Sequence, residues 1–225
     1  MNVIQPIKKT TALFMLMFCC FAFAVWAVKQ DNLDVERLLA HMEKKYDVNA
    51  KKRTRAWRTL VETKQQDPEM EKLKQVNRFF NLFRFVDDID HWKQNDYWAT
   101  PIEFIGTMAG DCEDFSIAKY FTLLELGVPI DKLRLTYVKA TTLNQFHMVL
   151  AYYPKPNAMP LILDNIDGAI KPANKRRDLK PIYSFNGQKL WLNKQKGKGK
   201  LLGGPEKLDH WNNLTKRYQL TDFEN

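Results

Sequence analysis

Cysteine is scarce in this chain: 225 residues hold three, at Cys19, Cys20 and Cys112, alongside four histidines. The first two sit in an N-terminal stretch with the marks of an export leader. Removal of that stretch leaves Cys112 alone, which excludes an internal disulfide and makes the thiol either a small buried group or a reactive one. No internal repeat is visible, so a solenoid or blade array is not expected. Disorder is excluded by composition, because 45% hydrophobic and 12% aromatic residues supply ample surface to bury. The length fits one globular domain with a sizeable core.

The leader is built from three parts. Lys8 and Lys9 lie in an acid-free start, an uncharged run extends from Thr11 to Val28, and Ala22-Phe23-Ala24 has the small-x-small spacing of a cleavage site. Residues 1–27 therefore read as a signal peptide cut after Ala24 or Ala27, with residues 28–225 as a single exported domain. The rival reading is an uncleaved anchor, since the run approaches the length of a spanning helix. Met17 and Phe18 before Cys19 and Cys20 do not form a lipoprotein box. Removing Lys8 and Lys9 lowers the formal net charge from +9 to +7. Export makes nucleic acid a poor partner for that charge, so a soluble basic surface without membrane insertion is expected.

Hydrophobic spacing predicts helices over residues 31–48, capped by Asp31 or Asn32, and over 49–66. Asp67-Pro68 predicts a third, running to about Phe85 and burying Met70, Leu73, Val76, Phe79, Phe80 and Phe83. Residues 86–110 read as a long, irregular connection whose Trp92, Tyr97 and Trp98 line the core. Another helix follows Cys112 and stops at Gly127, with Pro129 beyond it. The period then changes to two. Strands are expected at 133–140, 147–153 and 160–166, then a hairpin over 181–192 turning on Asn186-Gly187. Residues 194–204 read as a lysine- and glycine-rich loop, followed by a short helix over 205–218. Helices first and a mostly antiparallel sheet after them make an α+β layout.

Chemistry concentrates at Gly110-Asp111-Cys112-Glu113-Asp114. A thiolate gains from a helix N-terminus, where free amides point at it. Asp111, Glu113 and Asp114 act against it, because nearby negative charge opposes another anion. A bound cation would offset them; the alternative is that these acids only cap the helix. Nucleophilic catalysis also needs a base and a group to orient it. Of the four histidines only His147 opens a strand. If residues 154–157 form the loop between its strand and the next, His147 lies opposite Asp164, which could then hold the imidazole. A one-residue slip would put them on opposite faces.

The segments GDCEDFSIAKYF, LRLTYVKA, HMVLAYYP, PLILDN and YSFNGQKLWL, with FFNLFRFVDDIDHW and DYWATPIEF, resemble the LapG-type bacterial transglutaminase-like cysteine proteases. The resemblance runs from about Trp57 to Leu192. It implies a papain- or transglutaminase-like fold and a periplasmic endopeptidase that clips a large cell-surface adhesin near its N-terminus, favouring biofilm dispersal. It maps a catalytic triad onto Cys112, His147 and Asp164, and a required Ca²⁺ onto Asp111 and Glu113, with Asp114 beside them. It also implies inhibition by the periplasmic domain of an inner-membrane cyclic-di-GMP receptor. The same residues would equally serve acyl transfer to an amine, and an aromatic cleft without catalysis would make a peptide-binding module. The oxyanion donors expected are the Cys112 backbone amide and one further group, with Trp98 and Tyr97 as candidates.

Overall fold

The computed structural model describes residues 34–192 and 200–220. The leader, the caps expected at Asp31 or Asn32, and residues 194–199 lie outside them. No helix among the described residues is long and apolar enough to cross a membrane.

Helices come first. α1 spans residues 34–45, and α2 (Val48–Lys64) starts where the Asp47 side chain accepts the Ala50 amide at 2.6 Å. α3 (Glu69–Phe80) opens one residue later than the Asp67-Pro68 signal implied, with Pro68 as the flanking residue. It also stops short of Phe85. Phe83 turns inward onto Phe80 and Phe104, and Arg84–Phe85 leave the helix to form a short strand, β1. Met70, expected in the core, is 39% exposed, whereas Leu73, Val76 and Phe80 are fully buried.

The stretch expected to be irregular, 86–110, contains two helices and a strand. These are α4 (Asp88–His91), α5 (Pro101–Thr107) and β2 (Ala109–Gly110). The missed signal is Thr100-Pro101-Ile102-Glu103. Thr100 accepts the Glu103 amide, Glu103 accepts the Thr100 amide, and proline takes the first helical position. Met108 ends α5 in the left-handed conformation at φ 57°. The expectation for the aromatics holds: Trp98 is buried, and Trp92 and Tyr97 pack partly buried against the core.

α6 (Cys112–Glu125) is the central helix, ended by Gly127 at φ +81°. Trp57 Nε1 donates to Thr122 Oγ1 at 2.9 Å, fixing α2 against it. The buried Lys72 ammonium donates to the Leu126 carbonyl at 2.8 Å, a cation placed where the helix dipole is negative.

The seven-stranded sheet has the order β6-β5-β4-β3-β7-β8-β9, and its pairings are all antiparallel. Its strands are β3 (Leu133–Ala140), β4 (Gln145–Tyr152), β5 (Leu161–Leu163), β6 (Lys171–Pro172), β7 (Leu179–Phe185), β8 (Leu190–Leu192) and β9 (Lys200–Gly203). β9 occupies part of the segment expected to be a loop. α7 (Asp209–Leu220) closes the chain. One sheet face carries Leu133, Leu135, Met148, Leu150 and Leu163 against α6 and the main core. The opposite face carries a small cluster of Val138, Val149, Ala151 and Ile162.

Two connections differ from expectation. Phe185 pairs with Leu190, so the β7–β8 loop is the four residues 186–189 rather than a two-residue turn. Asn186 explains it: its side-chain oxygen accepts the Gln188 and Lys189 amides, both at 2.9 Å, while its nitrogen donates to the Ile130 carbonyl. The second is the β4–β5 register. Tyr152 pairs with Leu161, which displaces the expected pairing by two residues and leaves His147 and Asp164 not directly opposed. An even displacement preserves the face, so both still lie on the side that carries Val149 and Ile162.

Candidate active site

The site forms where three short stretches meet at the N-terminus of α6. β1 and β2 run parallel, with Phe85 beside Gly110, and the Val86 amide donates to the Gly110 carbonyl at 2.9 Å. This pairing brings the start of α4, and with it Asp88, next to Asp111. Glycine is required at 110, because a Cβ there would lie 2.2 Å from Asp114 Oδ2. Asp114 is fully buried and spent on the backbone: Oδ1 accepts the Ala99 amide at 2.7 Å and Oδ2 the Asp111 amide at 3.3 Å.

Cys112 occupies the first turn of α6 and is partly buried. Its thiol donates to Glu113 Oε2 at 3.0 Å, and Sγ accepts the Met148 amide at 3.4 Å. Ser116, one turn on, donates to the Met148 carbonyl at 3.0 Å. The helix therefore grips β4 at the residue after His147 through both backbone groups of Met148. No hydrogen bond joins Sγ to the imidazole among the described residues; the thiol meets β4 at the Met148 amide, one residue on from His147.

His147 and Asp164 are each 1% exposed, and imidazole Nε2 lies 2.8 Å from Asp164 Oδ1. The same oxygen accepts the Ile166 amide at 3.1 Å, while Arg176 Nη2 donates to Oδ2 at 2.7 Å. Burial pushes the Asp164 carboxyl up, but the His147 bond and charge, the Ile166 amide and Arg176 outweigh it and hold it well below the usual range. Arg176 is itself pinned by Asp178, whose Oδ2 accepts from Nη2 at 2.8 Å. Nothing in its sequence surroundings marked Arg176 as part of the site.

The acids around Cys112 show the opposite behaviour. Burial and the Glu113 charge push Asp111 up to about 10, and burial pushes Glu113 up to about 7. Burial raises the Cys112 thiol, with the Glu113 and Asp111 charges adding to it. Asp88 joins this group. Ligand oxygens of Asp88, Asp111 and Asp114 lie within 4.8 Å of one another, as do those of Asp88, Asp96 and Glu113, and those of Asp111 and Glu113 with the thiol. Asp88 Oδ1 and Asp111 Oδ1 are buried acceptors without a hydrogen-bond partner among the described residues. Orphaned carboxylate oxygens in a cluster with raised pKa values suit a hard cation taking oxygen ligands, and Ca²⁺ fits that donor set. Asp88 and Asp96 were not singled out in the sequence because their stretch reads as a loop. Asp88 opens α4, where an acid also suits the helix dipole, and that is the only signal it carries.

Of the two aromatic candidates for the oxyanion site, Tyr97 has its hydroxyl committed elsewhere. The Tyr97 hydroxyl donates to Glu103 at 2.9 Å, and Trp98 is stacked between Phe185 and His210.

Residues 40–189 match the family model described as bacterial transglutaminase-like cysteine proteinase. Among solved structures, the chain is similar to Legionella pneumophila LapG. For the EGTA-treated protein the identity is 44%, with 81% of this chain and 96% of that chain covered at a TM-score of 0.73. For the calcium-bound one the identity is again 44%, with coverages of 82% and 98% and a TM-score of 0.71. No curated protein matches.

Proposed function

This chain belongs to the bacterial transglutaminase-like cysteine proteinase family, and from that premise we propose a calcium-dependent endopeptidase working through Cys112, His147 and Asp164. The observation that carries this reading is the line from Arg176 through Asp164 to His147, together with a thiol at a helix N-terminus that accepts the amide of Met148, the next residue along the same strand. Asp164 occupies Nε2 and so fixes the tautomer and ring orientation, leaving Nδ1 to serve the thiol.

The thiol proton passes from Sγ to His147 Nδ1, and the thiolate attacks the scissile carbonyl carbon. The Cys112 backbone amide then receives the oxyanion. His147 returns the proton to the leaving amine as the C–N bond breaks, giving an acyl-enzyme. Water, deprotonated by His147, then releases the acid and restores the thiol. Asp164 remains ionised throughout, held by Arg176. Ca²⁺, when bound by Asp88, Asp111 and Glu113, supplies positive charge where these carboxylates would otherwise oppose a thiolate.

The substrate proposed is the N-terminal region of a large cell-surface adhesin, whose release would favour biofilm dispersal. The compartment is the periplasm, reached by the leader at residues 1–27. The inhibitor is the periplasmic domain of an inner-membrane cyclic-di-GMP receptor. Support for these three comes from the family resemblance and the leader pattern. The test is incubation of the protein with its host's adhesin, with and without calcium, and sequencing of the new N-terminus. A single cut that needs calcium and disappears in Cys112→Ala is expected. A Cys112→Ala protein that still releases the adhesin would establish a binding module instead, and transfer to an added amine without cleavage would establish an acyltransferase.

A further inference from the structure

The sheet face away from α6 carries a cavity of about 770 Å³ that the proteolytic mechanism does not use. Its floor is apolar, formed by Val138, Val149, Ala151 and Ile162. Two arginines stand on its walls, and none of its lining residues is an acid. Arg134 lies with its guanidinium carbon 4.4 Å from the Tyr153 ring centroid and 4.0 Å from that of Trp191. Those two rings hold the cation by its faces; Arg134 also donates a hydrogen bond to the Tyr153 side chain, and its remaining N–H groups are left for an acceptor. Arg134 has no carboxylate partner among the described residues, and its Nε is buried without a hydrogen bond. Arg176, 4% exposed, gives Nη2 to Asp164 and Asp178 but keeps Nη1 buried and unpartnered.

A buried guanidinium N–H without an acceptor is costly, and native interiors seldom leave one so. Apolar walls with a few convergent polar groups are the usual make-up of a small-molecule site, and this volume suits one. We propose that the cavity binds a small amphipathic monoanion, a carboxylate or sulfonate head on an apolar body. The head pairs with the Arg134 edge and the body lies on the Val138–Ile162 floor. Arg134 is the uncompensated charge that selects an anion; Arg176, already neutralised, contributes a donor. This site shares Arg176 with the Asp164–His147 line but lies on the sheet face away from α6, and it stands whether or not the chain is a protease.

The test uses the full chain with calcium and two fluorescent probes that share one apolar body. 8-Anilinonaphthalene-1-sulfonate carries the anion; N-phenyl-1-naphthylamine lacks it. Saturable binding of the sulfonate is expected, weakened roughly tenfold or more by Arg134→Gln, with the neutral probe changed less than about twofold. Asn174→Trp, at an exposed rim position, is expected to weaken both probes by filling the mouth, and it keeps the question open should Arg134→Gln not fold. The proposal is overturned if the wild type shows no saturable sulfonate binding. It is equally overturned if Arg134→Gln leaves the sulfonate unaffected or weakens both probes alike, or if Asn174→Trp changes neither.

Discussion

Asp164 and the acids around Cys112 form two sets of largely buried carboxylates, and their environments are opposite. Asp164 is enclosed by donors, His147 on one oxygen and Arg176 on the other, and stays ionised despite burial. Asp88, Asp111 and Glu113 are buried among themselves, with orphaned oxygens on two of them and pKa values pushed up. The protein supplies a counter-cation to the first set from its own chain; among the described residues no lysine or arginine pairs with the second. A carboxylate whose partners are covalently present is part of the scaffold. One whose partner must arrive from solution makes the neighbouring chemistry conditional on that arrival.

The largest test of this contrast is at Asp164. Asp164→Asn keeps the shape but removes the charge that orients His147, so kcat/KM on an adhesin fragment should fall by about 10³–10⁴. Retention within tenfold would mean that Asp164 is no more than a structural partner of Arg176. The second test removes the soluble cation. A ligand at about 100 times its Kd stabilises by about 2.7 kcal/mol, so chelation should lower Tm by several degrees and abolish cleavage. An unchanged Tm and full activity after chelation would reduce Asp111 and Glu113 to helix caps.

A third test reads the pKa values directly. In calcium-free protein, burial and neighbouring carboxylate charge push the Asp111 and Glu113 carboxyls above the range of the unfolded chain, which releases both protons at about 4. The folded state then binds more protons, so stability must decline as pH rises from about 5 to about 8. Melting curves across that range should show the decline without calcium and a flatter profile with it. The same slope in both conditions would place the cation elsewhere. The smallest effect is expected from Asp111→Asn. It should raise the calcium-free stability slightly, by about 1 kcal/mol, because a buried carboxyl no longer has to take up a proton on folding, and erase most of the calcium-induced shift. A lower calcium-free Tm would show that Asp111 matters to the apo fold through its charge.

Much of this could be read before any coordinates. β3 has the bounds the alternation implied, and α6 begins at Cys112 and stops before Gly127, because period and cap residues are local signals. The His147–Asp164 association was also legible, though by a route that tolerated error. The connection after Tyr152 is longer than its proline spacing implied, and only the even size of the displacement kept both side chains on one face. Asp88 and Arg176 were not legible. Asp88 reaches the site through a parallel pairing of two-residue strands, too short to leave a periodic trace. Arg176 acts by tertiary contact from a turn. Met70 failed for a different reason: it lies in the first turn of α3, where residues packed deeper on the same helix already fill the core.

Gly110 and Asp114 have a consequence for how this chain can change over time. A methyl at 110 would require the Asp114 carboxylate to retreat, yet that carboxylate is committed to the Ala99 and Asp111 amides. A side chain at 110 displaces the Asp114 carboxylate, and loss of that carboxylate strips the Ala99 and Asp111 amides of their acceptor. A lineage wishing to replace one must pass through an intermediate that clashes or leaves buried amides unpaired. Gly110 and Asp114 are therefore coupled across the nucleophile, and variation in relatives should appear on the outer turns of α6 well before it appears at these two positions.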